Sequence, residues 1–157
     1  MSGAVKSTII GLGEFKAQLK RISGSVRGKI LADAGTAGLQ LVVNAAMPKA
    51  PKRTGTLRRS IHTEVLTQTD NSAEIAVGTD VVYAAIQEFG GVIVPKESNE
   101  SGWLVWKDAK SGAWHKARSV TIKPHPYLRP AWDEKIDKVI TEVKTVLVKL
   151  ITKAAAG

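Results

Sequence analysis

Histidine is the side chain in this sequence best suited to acid–base or metal chemistry, and its three copies are widely separated. His62 lies in a segment of alternating polar and apolar residues, and His125 stands between two prolines. Neither these two nor His115 shows the short ligand spacings of a zinc site. Glu88 and His125 could form an acid–base pair, but nothing in the sequence brings them together. We therefore predict no catalytic residues, no metal and no cofactor, and we predict that the chain is not an enzyme.

A short basic cluster is the strongest charge signal in the chain. Five cations and no acid fall within eleven residues: Lys49, Lys52, Arg53, Arg58 and Arg59. Pro51 and Gly55 lie among them and Pro48 precedes them, which indicates a loop. Such a loop can bind phosphates or an acidic protein surface, and we expect Arg53, Arg58 and Arg59 to contribute most. It contains no aromatic residue for base stacking, so any DNA contact should be independent of sequence. A solvated loop is the alternative.

Composition predicts a soluble globular protein. The chain has 157 residues, of which 43% are hydrophobic, and a chain of this size can bury a core. Its net charge of +9 favours acidic partners, including DNA. It has no cysteine and no signal-peptide pattern at its N-terminus. We predict a single domain over residues 1–157, with flexibility in about the first ten residues and in the loop 96–102.

Helical periodicity is clearest in a long apolar segment near the N-terminus. After a first predicted helix over Gly13–Ile22, a second helix is predicted over Ser25–Met47 and should be stopped by Pro48. Its second half, from Ala34 to Met47, is apolar apart from a narrow polar stripe at intervals of four residues, formed by Thr36, Gln40 and Asn44. Such a helix should be covered on most sides, either by its own chain or by a neighbouring subunit. Gly35 and Gly38 would let another backbone approach closely.

A second long helix is predicted at the C-terminus. Apolar residues recur at helical spacing from Trp132 to Ile151, and Pro130 suits the first turn. We expect Asp133 and Glu134 to lie in that first turn, where their charge would complement the helix dipole.

Between the long helices the pattern changes to strands. Alternation predicts a hairpin over 61–68 and 73–77, then a short helix over Tyr83–Phe89 ended by Gly90, and then a strand over 92–94. A second hairpin is predicted from two strands, Trp103–Lys107 and Trp114–Val120. Its tryptophans either pack across the strands or form a subunit interface, and we assign the interface to Trp103, Trp106 and Trp114.

These elements predict an α+β fold. A mainly antiparallel sheet with hairpins should pack against a long central helix and a long C-terminal helix.

Several short motifs occur in a characteristic order. They are Ala50-Pro51, Thr54-Gly55-x-Leu57-x-x-Ser60-Ile61, Val77-Gly78, Tyr83-Ala84, Glu88-Phe89-Gly90 and Pro126-Tyr127-Leu128-Arg129-Pro130-Ala131. In this order and spacing, the chain resembles the tail-component family of long-tailed bacteriophages, which includes neck, head–tail joining and tail-completion proteins. Tyr127 stands where phenylalanine is commoner in that family. The segment 103–122 is longer than in the shortest members and is similar to that of tail-completion proteins from contractile-tailed phages.

The resemblance implies a structural virion protein at the head–tail junction or upper tail, present in the host cytoplasm during assembly. It implies a homo-oligomeric ring that contacts other neck, connector and tail proteins, with no catalytic residues, no cofactors and no membrane. A ring around exiting DNA would give the basic cluster non-specific contact with the genome. The alternative function is a sequence-independent DNA-binding protein that acts outside the particle.

Overall fold

The computed structural model describes Ala17, residues 21–97 and residues 100–156. The predicted first helix over Gly13–Ile22 therefore falls largely outside the described residues, as do the first ten residues and positions 98 and 99 of the loop 96–102. The described elements, in chain order, are α1 (Gly24–Lys49), α2 (Thr56–Ser60), β1 (His62–Gln68), β2 (Ala73–Gly78), α3 (Ala84–Phe89), β3 (Gly91–Ile93), β4 (Leu104–Lys107), β5 (Trp114–Ala117), β6 (Val120–Ile122) and α4 (Leu128–Ala156).

The predicted α+β class is confirmed, with two long helices and antiparallel strand pairs. Within the described residues the strands form three two-stranded ladders, β1–β2, β3–β6 and β4–β5. The hairpin predicted over 61–77 is confirmed, with His62 opposite Gly78 and Gln68 opposite Ala73. The prediction of a single strand over Trp114–Val120 is wrong. The strand β5 ends at Ala117, and a separate strand, β6, begins at Val120 and pairs with β3.

Both ends of the helix predictions need small corrections. Pro48 does not stop α1 at Met47, because the helix continues to Lys49 with the proline inside its last turn. The C-terminal helix begins at Leu128, so its first turn contains no acidic residue. The prediction that Asp133 and Glu134 lie in that turn is therefore wrong.

The contacts of the chain separate into two compact units. The first unit comprises the described residues of Met1–Val43, His62–Gly78 and Lys135–Gly157, and the second comprises those of Asn44–Ile61 and Thr79–Glu134. Both long helices pass from one unit into the other along the chain. The prediction of a single domain stays a prediction.

In the first unit, one face of α1 carries four glycines. Gly24, Gly28, Gly35 and Gly38 are spaced by four, seven and three residues, which places them on the same side of the helix. A methyl group at Gly28 would collide with the Thr69 carbonyl, and one at Gly35 would lie 2.6 Å from the Ile75 Cδ1 atom. The β1–β2 hairpin therefore approaches α1 more closely than any side chain there would allow.

The same face of α1 receives α4 further along. A methyl group at Gly38 would lie 2.5 Å from Val143 Cγ2 and 3.1 Å from the Val139 carbonyl oxygen. The prediction that glycine lets another backbone approach closely is thus confirmed at Gly38, whereas the close neighbour of Gly35 is the Ile75 side chain. Both neighbours belong to this chain. A buried cluster of Ile22, Ile30 and Ile151 completes the packing, with Leu147, Leu150 and Ala154 against it.

The predicted polar stripe lies on the side of α1 opposite the glycines, and this side is more exposed to solvent. Gln40 and Asn44 are exposed and Thr36 is half-buried. Among the described residues, α1 is the one helix long and apolar enough to cross a membrane by length and composition alone. Half of its most apolar window is buried within the protein.

Candidate functional site

The second unit contains a buried carboxylate that binds the start of a helix. Glu88 lies in α3 with 6% of its surface exposed. The backbone N–H groups of Tyr127 and Leu128 donate to its Oε2 at 2.7 and 2.9 Å, and the N–H of Arg129 donates to its Oε1 at 2.9 Å. The first N–H groups of a helix have no partner within the helix. Glu88 supplies that partner for α4, together with the negative charge that the helix dipole favours.

The residues around Glu88 fix its position. Gly90 ends α3 with φ 70°, and its N–H donates to the Ile86 carbonyl at 2.9 Å. A side chain at Gly90 would meet the Ile122 carbonyl oxygen and Pro124 at 2.8 Å. The sharp turn after α3 therefore needs glycine both for its backbone angle and for the approach of the segment that leads into α4.

Two further contacts join the same segments. The His125 N–H donates to the Gln87 carbonyl at 2.7 Å. The Arg129 guanidinium lies over the Phe89 ring, 5.8 Å from its centroid. The Glu88-Phe89-Gly90 motif and the motif that begins at Pro126 are thus two halves of one joint, which we call the Glu88 clamp.

Burial alone would raise the pKa of Glu88. The hydrogen bonds from Tyr127, Arg129 and Leu128, with the nearby Arg129 charge, outweigh burial and hold this pKa below its ordinary value. Glu88 therefore stays ionised at neutral pH. Tyr127 is 1% exposed, and burial followed by the Glu88 charge raises the pKa of its phenol.

The hypothetical acid–base pair of Glu88 and His125 has no support in these contacts. Both carboxylate oxygens of Glu88 accept backbone N–H groups, and the Nδ1 atom of His125 lies 3.0 Å from the Lys123 carbonyl oxygen. In the part of the chain that the structure describes, no group of three His, Asp or Glu residues is arranged to hold a metal ion.

The residues of the predicted basic cluster do not share one role. Lys49 forms an ion pair with Glu134 at 2.8 Å. Arg58 donates from Nε to the Met47 carbonyl at 2.6 Å, so it binds an open carbonyl at the end of α1. Arg59 makes a weak contact of 3.4 Å to the Thr54 carbonyl oxygen.

Lys52 and Arg53 differ from the other cations of the cluster, although Lys49 and Arg59 are exposed as well. Neither has a hydrogen bond or ion pair with any of the described residues. Arg53 also lines an open cavity of about 390 Å³ with apolar side chains that include Leu57, Tyr83 and Ile86. The predicted contact with DNA or an acidic partner stays a prediction, and these two residues are its cleanest probes.

The Thr-Gly-x-Leu-x-x-Ser-Ile motif forms the short helix α2 rather than only a turn. Gly55 precedes it with φ 72°, and Leu57 and Ile61 are buried. The Ser60 hydroxyl donates to the Leu57 carbonyl at 2.9 Å and lies 2.5 Å from the Thr79 hydroxyl. The motif therefore fixes the residues of the basic cluster within the second unit.

Replacing Arg58 by glutamine is expected to lower the free energy of unfolding by about 1–2 kcal/mol, because it removes a charge-assisted hydrogen bond and a cation at the end of α1. The matched change Arg59→Gln should alter it by less than about 0.5 kcal/mol. Chemical denaturation of both variants tests this. Equal effects would contradict a capping role for Arg58.

The tryptophan-bearing hairpin β4–β5 is exposed on both faces. Trp106 stacks on His115 across the ladder, with ring centroids 5.6 Å apart. Trp114 is 71% exposed. The Trp103 ring has the Lys116 ammonium at 5.1 Å and the Arg118 guanidinium at 5.0 Å from its centroid. The predicted subunit interface at these tryptophans stays a prediction.

The hairpin turn is held by its own acid. The Asp108 carboxylate accepts the Lys110 N–H at 2.9 Å and the Ser111 N–H at 2.7 Å. The Ser111 hydroxyl also donates to it, and these bonds lower the pKa of Asp108. Its charge is thus engaged within the turn.

These features define a small α+β protein whose short motifs form joints between distant segments. Residues 13–90 match the family described as "Bacteriophage HK97-gp10, putative tail-component". Through these residues the chain belongs to this family of bacteriophage tail components, and the resemblance seen in the motifs is confirmed. The match ends at Gly90, so the second half of the Glu88 clamp lies beyond it. No curated protein and no solved structure matches the chain.

The family gives the coarse function directly. The protein is a phage tail component, with a place in the virion among other phage structural proteins. Both halves of the Glu88 clamp are visible in the sequence as motifs, but no local pattern shows that they contact each other. The signal that could have joined them is the acid at the end of α3 together with a following helix that has no acid in its first turn.

Proposed function

We propose that this tail component is a neck or tail-completion protein. It assembles as a homo-oligomeric ring at the head–tail junction, contacts connector and tail proteins, and helps to join or complete the tail around the DNA channel. Its action is structural and non-catalytic.

The observation that carries the proposal is solvent-exposed apolar surface on the second unit. Large exposed hydrophobic residues are concentrated in one stretch of the second unit, namely Val82, Tyr83, Phe89, Val92, Ile93 and Val94. Val82 is fully exposed. Apolar surface concentrated in this way marks a binding surface, because a monomer gains nothing by exposing it.

The strands of this unit support contact between copies. β3 is exposed at all three residues and has β6 as its one partner among the described strands. A short strand with an open edge can pair with another chain. Exposed Lys52 and Arg53 supply a charge suited to the DNA backbone without base readout.

The decisive experiment is electron microscopy of lysates from a phage with a suppressible stop codon in this gene. We expect DNA-filled heads beside separate tails in the non-suppressing host, and joined infectious particles in the suppressing host. Normal particles in both hosts would contradict the proposal and favour the alternative, a sequence-independent DNA-binding protein outside the particle.

Complementation in the same system tests the interface. Val92→Asp places a charge on the exposed β3 strand and should leave heads and tails unjoined. Val148→Asp makes the same change at an exposed position of α4 and should restore joining. Failure of both variants, with wild-type thermal stability, would mean that the effect is not specific to β3.

A further inference from the structure

The β4–β5 hairpin combines aromatic rings and cations on one ribbon. Residues 103–118 contain four cations against the single acid Asp108, and that acid is bound within its own turn. The cations are Lys107, Lys110, Lys116 and Arg118. Because both faces of the ribbon are exposed, these groups can reach a ligand that is not part of this chain.

The strand register places unlike groups side by side. Lys107 pairs with Trp114, and Val105 pairs with Lys116. Directly opposed residues in an antiparallel pair share a face. One face therefore presents the most exposed tryptophan beside a lysine, with the second lysine next to them and positioned over the Trp103 ring.

We propose that this face is a binding site for single-stranded nucleic acid. Phosphates would meet the lysines, and an unpaired base would stack on Trp114. Aromatic rings and cations on one surface are the combination that single-strand binding proteins use. In a duplex the base faces are already stacked on one another, so an exposed ring gains less from it.

Charge argues against a second copy of this chain as the occupant. Every copy carries a net charge of +9, so two copies repel each other most where cations are concentrated. Lysine is also depleted in the cores of protein interfaces, whereas this face presents two. A nucleic acid satisfies both the charge and the rings. The inference goes beyond the proposed function and does not depend on where in the particle the protein lies.

The test measures binding of the full chain to a labelled, unstructured oligothymidylate. Fluorescence anisotropy reports the binding at several salt concentrations. We expect tighter binding to the single strand than to a duplex of equal length or to heparin, which has no bases. Trp114→Ala should weaken single-strand binding about 10-fold or more. Val105→Ala, on the same face and without an aromatic ring, should leave it within about 2-fold.

A charge-matched pair of double variants separates the ribbon from general electrostatics. Lys107→Gln with Lys116→Gln should reduce the log–log salt slope by about 1.4, at roughly 0.7 per phosphate contact. Lys144→Gln with Lys149→Gln removes the same charge from α4 and should leave the slope unchanged. Equal affinity for heparin and oligothymidylate, unaffected by Trp114→Ala, would overturn the proposal. The proposal would also be overturned if Trp114→Ala lost self-association but kept its binding to oligothymidylate.

Discussion

Replacing Glu88 by alanine should lower the free energy of unfolding by about 3 kcal/mol or more. The change removes the acceptor for three backbone N–H groups at the start of α4, at a site where the carboxylate is 6% exposed. A hydrogen bond to a charged group contributes about 1.5–3 kcal/mol, and donors left buried without a partner add their desolvation cost. Urea denaturation followed by circular dichroism measures the change.

A matched glutamate on α4 provides the control for this change. Glu134→Ala breaks the exposed ion pair with Lys49, and its cost should be about 1 kcal/mol or less. If Glu88→Ala were no more destabilising than Glu134→Ala, the Glu88 clamp would not be a principal contact of the second unit.

The Glu88 clamp also gives stability a defined dependence on pH. Because the folded-state pKa of Glu88 lies below the ordinary glutamate value of about 4.3, its contribution is present above that pH. It is lost as the pH falls through the lower folded pKa. Glu88→Gln cannot titrate, so its unfolding free energy should fall less steeply below about pH 4 than that of the wild type. Parallel curves would contradict this role.

Replacing Gly28 by alanine should destabilise the first unit by about 1–3 kcal/mol. Alanine favours the helix by about 1 kcal/mol over glycine, so propensity alone predicts a gain. The added methyl group would collide with the Thr69 carbonyl, and a backbone group moves only if the β1–β2 turn shifts with it. Thermal unfolding of the variant measures which of the two effects is larger.

Gly78 offers the comparison for this substitution. It lies at the end of β2, its φ is not in the left-handed region, and a methyl group there would meet nothing within 4 Å. Gly78→Ala should therefore change the unfolding free energy by less than about 0.5 kcal/mol. A stabilising Gly28→Ala would show that the hairpin does not press against α1.

Features specified by near neighbours were predicted correctly from the sequence. The periodicity of α1, the alternation in β1 and β2, and the glycine after α3 each depend on residues within one or two turns or strands. The predicted polar stripe followed from the same periodicity, because the spacing of Gln40 and Asn44 determines their shared face.

Features that depend on distant partners were not predicted. β6 pairs with β3 across about thirty residues, and nothing in the short pattern of Val120–Ile122 identifies its partner. Arg58 looked like a DNA contact because its charge is visible in the sequence, whereas the Met47 carbonyl it binds is a backbone group common to every residue. The start of α4 was placed too late for a similar reason, since its capping acid lies in α3.

The division of the chain into interleaved segments has a consequence for how such a gene can recombine. The first unit is assembled from three separate stretches and the second from two. A single crossover exchanges everything on one side of one position, so it cannot exchange either unit whole. A crossover after Gly90, for example, divides both units. A hybrid of two such genes would have to inherit matched halves of both units at once. Exchange of the entire reading frame is therefore the route that preserves folding.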